Sequence, residues 1–587
     1  MKIKINQIFT LLAIVCFVLL TRNLFILRFV QPVGYVVDIY SMFPLSFYLA
    51  FMFCYLVATF LVLNGKKVLG TLILCINHFE ILIIPYMLGY YSMGRADDMS
   101  YIGEYLQIAT SGHFADWDIY PASHIIGASI SLISNLEAHS TFFIMPIVFS
   151  FIFIAGIYLF SRELFPDPCI HSLVLVASFI LYLGTYNFLN VPHALFFALM
   201  PLYLFCLYKY IKKYNNISMS ILFVLITLFI PFTHPFIVFF LFAVFLFHML
   251  PTILSTSNLE VLRIPKIKVS SLLLLVIPFM GWFIYNNTLL GSFKSNYISY
   301  IKKITEPVFV ETTGKLTKIN FVVSDYIQLI SFFYGRYIIP TLLILASFIF
   351  IYLNKDIIKR KCLKNYPYLV VLSVVLFFVQ IILLFTPIIS HQPDRIMNLN
   401  FVVYAQVPLF ACALYLLFLE KSQSNSRILL VCGILLLVWS LSLFGCFDSP
   451  NVYRTNVALT QNEVSGMNWF YKVKDKSIIG TPFSQIERFN YLFGNFQAVD
   501  IIYHFPDHFG YANNSSNLAD INLQEVQKLN IIILTIDELL YQEVPGYKTV
   551  GRYTKEDFNR FKTDSSVIKI FDSTNIEIFR SYHEVNS

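Results

Sequence analysis

Residues 94–124, GRADDMSYIGEYLQIATSGHFADWDIYPASH, gather acidic side chains that could take part in a reaction. Asp97 and Asp98 are adjacent, and Asp116 and Asp118 follow them just before a Tyr-Pro step. Carboxylates grouped in this way can act as general bases or hold a divalent cation. The stretch is therefore the first candidate for a reaction site.

Further ionisable residues stand where other apolar segments end. His234 lies in PFTHPF, and Asp394 and Arg395 lie in SHQPDRIMNLN. An arginine at such a position can pair with a phosphate through its planar guanidinium. Residues of this kind, drawn from several helix ends to one membrane face, would suit a reaction on a lipid-linked phosphate.

The elements that must position these residues are membrane helices. Hydrophobic residues make up 57% of the 587 positions and charged residues 13%, and the mean hydropathy is +0.70. A soluble chain could not hide so much apolar surface. We therefore predict an α-helical polytopic membrane protein.

Thirteen apolar segments are long enough to cross the hydrocarbon layer, each crossing needing roughly 20 residues or slightly fewer. They lie near 7–21 (extending toward 30), 43–63, 69–92, 141–160, 171–187, 193–211, 219–233, 235–252, 270–287, 337–354, 366–388, 397–419 and 428–446.

Basic residues set the orientation, because cytoplasmic loops are enriched in Lys and Arg. Lys2 and Lys4 precede the first segment, Lys66 and Lys67 follow the second, and a basic cluster fills 355–364. These residues are all cytoplasmic if the N-terminus is cytoplasmic. The acidic stretch and the C-terminal tail then lie outside the cell membrane, and the net charge of +7 reflects cytoplasmic loops rather than nucleic-acid binding.

Five regions follow from this layout. They are an N-terminal transmembrane helix pair (1–68), a seven-helix core (69–287) with an acidic outer loop (93–140), a long outer loop (288–336), a four-helix variable module (337–446) and an extracytoplasmic α/β domain (447–587).

The tail reads as mixed α/β. EVSGMNWFYKV has the spacing of a short amphipathic helix, SIIGTP and NIIILTI are typical of strands, and VIKIFDSTNIEIF predicts two strands about a polar turn. A segment of this length can bury its own core. We interpret it as a supporting or acceptor-guiding domain.

An acidic pair just after a membrane helix, followed by a Tyr-Pro step that opens another helix, resembles the first outer loop of the C-type (GT-C) membrane glycosyltransferases. That superfamily includes protein O-mannosyltransferases, aminoarabinose transferases and oligosaccharyltransferase subunits. The helix layout, long outer loop and outer soluble domain are also similar.

The resemblance implies an inverting glycosyltransferase of the hexosyltransferase type. It would move a sugar from a polyprenyl-phosphate donor to a lipid, glycan or protein acceptor on the outer face. Asp97 or Asp98 would be the catalytic base, and the implied substrate-binding residues are Tyr101, Glu104, His234, Asp394 and Arg395. No cofactor is certain. Relatives differ on whether a divalent metal, Mg²⁺ or Mn²⁺, takes part.

Three alternatives stay open. His78 and Glu80, inside the third segment, favour a secondary transporter. A lipid-linked polysaccharide polymerase or ligase would also face outward. An oligosaccharyltransferase-like activity is less favoured, because the Trp-Trp-Asp signature is absent from the tail, where Trp469 stands alone in GMNWFYKV.

Overall fold

A computed structural model describes a chain that is mostly helical. The described residues are 2–30, 34–95, 97–212, 217–254, 264–302, 310, 322–354, 363–385, 400–474, 478–482, 484–494, 501–513, 529–544, 547–548 and 551–581.

Helices account for almost all of the described chain before the tail. Up to residue 254 they are α1 Lys2–Phe29, α2 Leu45–Leu63, α3 Lys67–Met87, α4 Asp97–Ser111, α5 Pro121–Ser134, α6 Ala138–Leu164, α7 Pro168–Ala177, α8 Pro192–Lys212, α9 Ile217–Phe229 and α10 Pro235–Leu254. Later helices are Val269–Tyr285, Asn287–Ile301, Val323–Leu329, Gly335–Leu353, Tyr366–Phe385, Asn400–Leu414 and Asn425–Phe444, with π-helical turns at Ile330–Tyr334 and Tyr415–Leu419.

Eight helices in the described ranges are long and apolar enough to cross a membrane. A ninth crossing results if Val269–Tyr285 and Asn287–Ile301, which meet at 91°, form one bent span. Apolar side chains also point outward along these helices, for example Leu11 and Val18 of α1, each 62% exposed. Such a surface suits a hydrocarbon environment, as expected of a polytopic membrane protein.

Two predicted segments end earlier as helices than the sequence suggests. The third, predicted to reach residue 92, ends at Met87, and strand β1, Tyr90–Ser92, follows it. The fifth, predicted over 171–187, is helical only to Ala177 and resumes as a 3₁₀ turn at Gly184–Asn187. Hydropathy alone cannot detect either ending, because the residues beyond both helices remain apolar.

The tail contains a five-stranded sheet in the order β4-β3-β5-β7-β6. Its strands are β3 Ile478–Thr481, β4 Ile502–His504, β5 Leu529–Leu534, β6 Val567–Ser573 and β7 Ile576–Ser581, and its helices are Gln461–Val473, Arg488–Leu492, Thr535–Glu543 and Lys555–Thr563. Strand β3 pairs in parallel with β4 and β5, whereas β7 pairs antiparallel with β5 and β6. The helix and strands predicted in this segment are therefore present.

The tail is joined directly to the stretch that opens the acidic loop. Strand β1 pairs antiparallel with the short strand β2, Leu459–Thr460, with Tyr90 opposite Thr460. Beside this pairing, Arg95 contacts Glu463 at 2.7 Å, and the two side chains are 8% and 0% exposed. The tail therefore fixes the point where the chain leaves α3 and enters α4.

Candidate functional site

Helix α4 has two faces with different partners. Met99 and Ile102 belong to the same buried core as the tail, and they lie on the face that the tail covers. Asp97, Tyr101 and Glu104 follow the i, i+4, i+7 spacing that places side chains on the opposite face of a helix. The fold therefore presents a stripe of polar side chains away from the tail.

The approach of the tail to α4 requires a residue without a side chain. A Cβ atom on Gly103 would stand 2.2 Å from the carbonyl oxygen of Tyr491. Tyr491 lies near the C-terminal end of the tail helix Arg488–Leu492. Ser100, also on this face, accepts a hydrogen bond from Arg488 at 3.3 Å. These contacts hold α4 against the tail through Ser100 and Gly103.

The predicted catalytic pair splits into two different environments. Asp97 is half-buried, whereas Asp98 is 2% exposed. The Gly94 N–H donates to Oδ2 of Asp98 at 2.7 Å, and a Cβ atom on Gly94 would stand 2.7 Å from that carboxylate, so the contact needs glycine. Asp98 is thereby tied into the loop, and Asp97 is the more accessible of the two.

Burial raises the pKa of the Asp98 carboxyl to about 7. The Gly94 N–H opposes this rise, and the nearby Asp97 carboxylate adds to it. Asp98 is therefore protonated in a large fraction of molecules near neutral pH.

A second polar group lies further along α4. Glu104, Asp118 and His124 each offer one oxygen or nitrogen atom, and these atoms lie within 4.8 Å of one another. Asp118 Oδ2 accepts from His124 Nδ1 at 2.7 Å. The three side chains are 0%, 2% and 2% exposed. We call Glu104, Asp118 and His124 the buried triad.

The local chain conformation explains how Asp118 and His124 meet. Oδ1 of Asp118 accepts the backbone N–H of Tyr120 at 2.8 Å, which forms a turn of the kind that Asp favours. Pro121 then starts α5, where a missing N–H has no cost. His124 follows within the first turn of α5 and faces back toward Asp118, while Asn286 donates to the Asp118 carbonyl at 3.1 Å.

Glu104 is the unusual member of the buried triad. Neither of its carboxylate oxygens makes a well-formed hydrogen bond to a described residue, although the Ala115 N–H lies near enough to lower the Glu104 pKa, and Nε2 of His124 is buried without a partner. Burial raises the pKa of Glu104 to about 7; Asp118 adds to the rise, while His124 and the Ala115 backbone oppose it. A buried carboxylate in this state lacks compensation for its lost hydration.

Tyr101 and His234 border the buried triad. The rings of Tyr101 and His124 lie 4.7 Å apart, and His234 stacks on Tyr120 at 4.5 Å. Nδ1 of His234 also accepts the Phe236 N–H at 3.1 Å, at the start of α10. The structure thus brings Tyr101 and Glu104 together with Asp118, and His234 reaches the same loop through Tyr120.

Four further acidic, basic or histidine residues of the sequence remain to be placed. Arg395 and Asp394 lie outside the described residues. His113 and Asp116 are exposed on the loop between α4 and α5.

Of two arginines near helix ends, the sequence placed Arg336 among the ionisable residues of the long outer loop, whereas Arg454 was not singled out. Arg336 is fully buried and donates to the Gly445 carbonyl at 3.2 Å, and Arg454 pairs with Asp448 at 3.3 Å. Both guanidinium groups lie against the Phe333 ring, at 5.5 and 5.2 Å. A lone arginine inside the apolar run FFYGRYIIP was the available signal for Arg336.

His124 was also missed, because its histidine stands inside an otherwise ordinary helix start. Its spacing from Asp118 across Pro121 was the available signal.

The resemblance stated above has no independent support: no protein-family model and no curated protein matches the sequence.

Proposed function

We propose that the protein is a multi-pass membrane glycosyltransferase that moves a sugar from a polyprenyl-phosphate donor to an acceptor hydroxyl on the outer face of the cell membrane. The observation that carries this proposal is the half-buried Asp97 at the start of α4, beside the buried Asp98. A general base must be reachable by the acceptor, and of the two only Asp97 has that access.

In the proposed reaction the acceptor oxygen attacks the anomeric carbon of the sugar. A bond forms between these atoms, the bond from the anomeric carbon to the phosphate oxygen breaks, and polyprenyl phosphate leaves. Asp97 takes the proton of the acceptor hydroxyl. Asp98, tied to the Gly94 N–H, acts as a positioning residue that fixes the first turn of α4.

Tyr101, Glu104 and His234 border the space along the polar face of α4 and are proposed to shape the substrate site. Arg395 and Asp394 are kept as proposed contacts to the donor phosphate and sugar. An arginine suits the phosphate because its fork donates two parallel hydrogen bonds.

The contact between the acidic loop and the tail supports the proposed outer location of both. The pairing of β1 with β2 requires residues 90 and 460 to lie on the same side of the membrane, so an even number of crossings must separate them. Five of the eight candidate spans lie between these residues, which is an odd number. The number of crossings between them must therefore differ from five, and the ten segments predicted there from the sequence satisfy the even count.

The base assignment is tested by replacing Asp97 and Asp98 separately with Asn and measuring transfer from labelled polyprenyl-phosphate sugars in membranes. Loss of a general base typically lowers the rate 10²–10⁴-fold. We expect a loss of that size for Asp97→Asn and a smaller one for Asp98→Asn. Asp116→Asn, on the exposed part of the same loop, is the matched control and should keep wild-type turnover.

Wild-type turnover in a folded Asp97→Asn variant would contradict the assignment. The product separates the remaining readings: one added sugar fits the proposed transferase, and a transferred chain fits a polymerase, a ligase or an oligosaccharyltransferase-like enzyme.

One observation favours a second candidate, a secondary transporter. Glu80 of α3 is fully buried, and neither of its carboxylate oxygens has a partner among the described residues. A carboxylate at such depth often belongs to a substrate or ion path. Substrate flux through proteoliposomes that depends on Glu80, without any covalent product, would favour this candidate over the transferase.

A further inference from the structure

The buried triad combines two carboxylates and one imidazole from two neighbouring helices and their connecting loop. We propose that Glu104, Asp118 and His124 bind a divalent transition-metal cation, Zn²⁺ or Mn²⁺, that links α4 to α5. This proposal does not depend on the glycosyltransferase assignment, because it rests on the donor atoms and their burial alone.

The charge of the triad is the first argument. Glu104 and Asp118 bring two carboxylates into a buried site, and no Lys or Arg in the described part of the chain pairs with either of them. When both carboxylates are ionised, a protonated His124 cancels one negative charge and leaves the other without compensation. A divalent cation bound to a neutral imidazole cancels both, which removes the cost of a buried net charge.

The unpartnered oxygens of Glu104 are the second argument. Both lie in the interior, and the nearby Ala115 backbone N–H does not reach good hydrogen-bonding geometry with either of them. The carboxylate nevertheless points at Asp118 and His124, since one of its oxygens lies within 4.8 Å of their donor atoms. Buried polar groups almost always have partners. A cation bound by this oxygen is the simplest partner that would satisfy it.

The donor spacing is compatible with one ion. Ligand atoms at about 2.1 Å from a shared Zn²⁺ stand roughly 3.4 Å from one another in tetrahedral geometry. Nδ1 of His124 and Oδ2 of Asp118 lie 2.7 Å apart because they share a hydrogen bond, and a bound cation would replace that proton and move the two atoms slightly apart. The Glu104 side chain can close the remaining gap by rotation, because the weak contact with the Ala115 N–H is the restraint that the described residues place on its carboxylate.

The donor types select the class of cation. Imidazole suits Zn²⁺ and other transition metals, whereas Mg²⁺ and Ca²⁺ prefer sites made only of oxygen. Three protein ligands also leave a coordination position open for water or a substrate group. The triad therefore favours Zn²⁺ or Mn²⁺ over Mg²⁺.

The position of the triad suggests what the ion would do. Glu104 lies on the same face of α4 as Asp97, roughly 10 Å further along the axis. A cation held between Glu104 and His124 would fix the rotation of α4 against α5. Helix α4 would then be held by the tail on one face and by the cation on the other.

The test measures metal in untagged, full-length protein purified in detergent. Metal content is determined by mass spectrometry, and chelator-treated protein is then titrated with Zn²⁺, Mn²⁺ and Mg²⁺. We expect about one equivalent of Zn²⁺ or Mn²⁺ per chain, with Mg²⁺ at least tenfold weaker. Glu104→Gln keeps the shape of the side chain and should lower the affinity 10–100-fold or more. Asp116→Asn is the matched control and should bind like wild type.

Two outcomes would overturn the proposal: folded wild-type protein that binds no transition metal, or a Glu104→Gln variant with unchanged stoichiometry and affinity, which would mean an adventitious ion elsewhere. If Glu104→Gln fails to fold, Asp118→Asn supplies the same comparison. Because no substrate is used, metal binding without sugar transfer would count against the proposed function alone.

Discussion

Two regions of the chain bury a carboxylate and a histidine close together in sequence, with different results. In α3, His78 bonds to Ser150 at 2.8 Å, and Glu80, two residues on, has no described partner. Residues two apart on a helix point in different directions, so these side chains do not meet. In the outer loop, His124 and Asp118 touch, and Glu104 approaches them.

The two regions differ in whether several donor atoms meet at one point. Both regions bury ionisable groups, but only the outer loop brings three donors to one point from two helices and a connecting turn. A single helix such as α3 cannot do this. The comparison indicates that burial of an acid marks a helix contact as readily as a site, whereas convergence of several donors is the better sign of chemistry.

The largest effect is expected where the outer loop depends on the tail. Arg95→Met removes one partner of the buried pair with Glu463, and breaking such a pair typically costs about 3–5 kcal/mol. We expect a loss of that size in the free energy of unfolding, measured by chemical denaturation in detergent, together with a loss of transfer. Glu463→Gln is the matched variant.

The double variant of Arg95 and Glu463 should then lose less than the sum of the two single losses. Strictly additive losses would mean that the pair does not couple the loop to the tail. The stability of the outer loop would in that case not depend on the tail through this ion pair.

A somewhat smaller effect concerns pH. Because burial raises the pKa of Asp98 from 3.8 to about 7, the folded protein retains a proton that the unfolded chain releases between about pH 4 and pH 7. Stability should fall as the pH rises through that window and level off above it. The span is at most about 4 kcal/mol, at 1.36 kcal/mol per pKa unit.

Melting temperatures of wild type and Asp98→Asn between pH 4 and pH 8 measure this dependence. Asp98→Asn should show the flatter profile. Glu104 titrates in the same direction in both proteins, so its contribution cancels in the difference. Parallel profiles would show that Asp98 is not the group responsible.

The smallest effect separates the two regions directly. Glu104→Gln should lower sugar transfer 10–100-fold, as loss of a supporting metal contact typically does. Glu80→Gln makes the same carboxylate-to-amide replacement inside α3. It should alter transfer less than about twofold, because Glu80 contacts no group proposed to take part in the reaction. Equal losses of transfer in the two variants would show that a buried carboxylate matters to the reaction whether or not other donor atoms lie beside it.

The sequence predicted the features that depend on neighbouring residues. The tail helix at Gln461–Val473 and the tail strands follow local periodicity, and all are present. The apolar segments likewise correspond to helices, although their number as membrane crossings is not established by length alone.

The remaining features depend on residues far apart in the chain, which leave no local pattern. Arg95 and Glu463 are 368 positions apart, and nothing around either one identifies its partner. The buried triad needs the angle between α4 and α5 as well as the turn at Asp118. For the same reason the sequence named Glu104 as an implied substrate contact without indicating that Asp118 and His124 lie beside it.

The pairing of β1 with β2 also has a consequence for biosynthesis. Tyr90 leaves the ribosome long before Thr460, and at about 5–20 residues per second the interval is roughly 20–70 seconds. Throughout that time the segment that opens the acidic loop has no partner strand. The β1–β2 pairing can thus form only after the last membrane helices have been synthesised, so the proposed site reaches its final arrangement late.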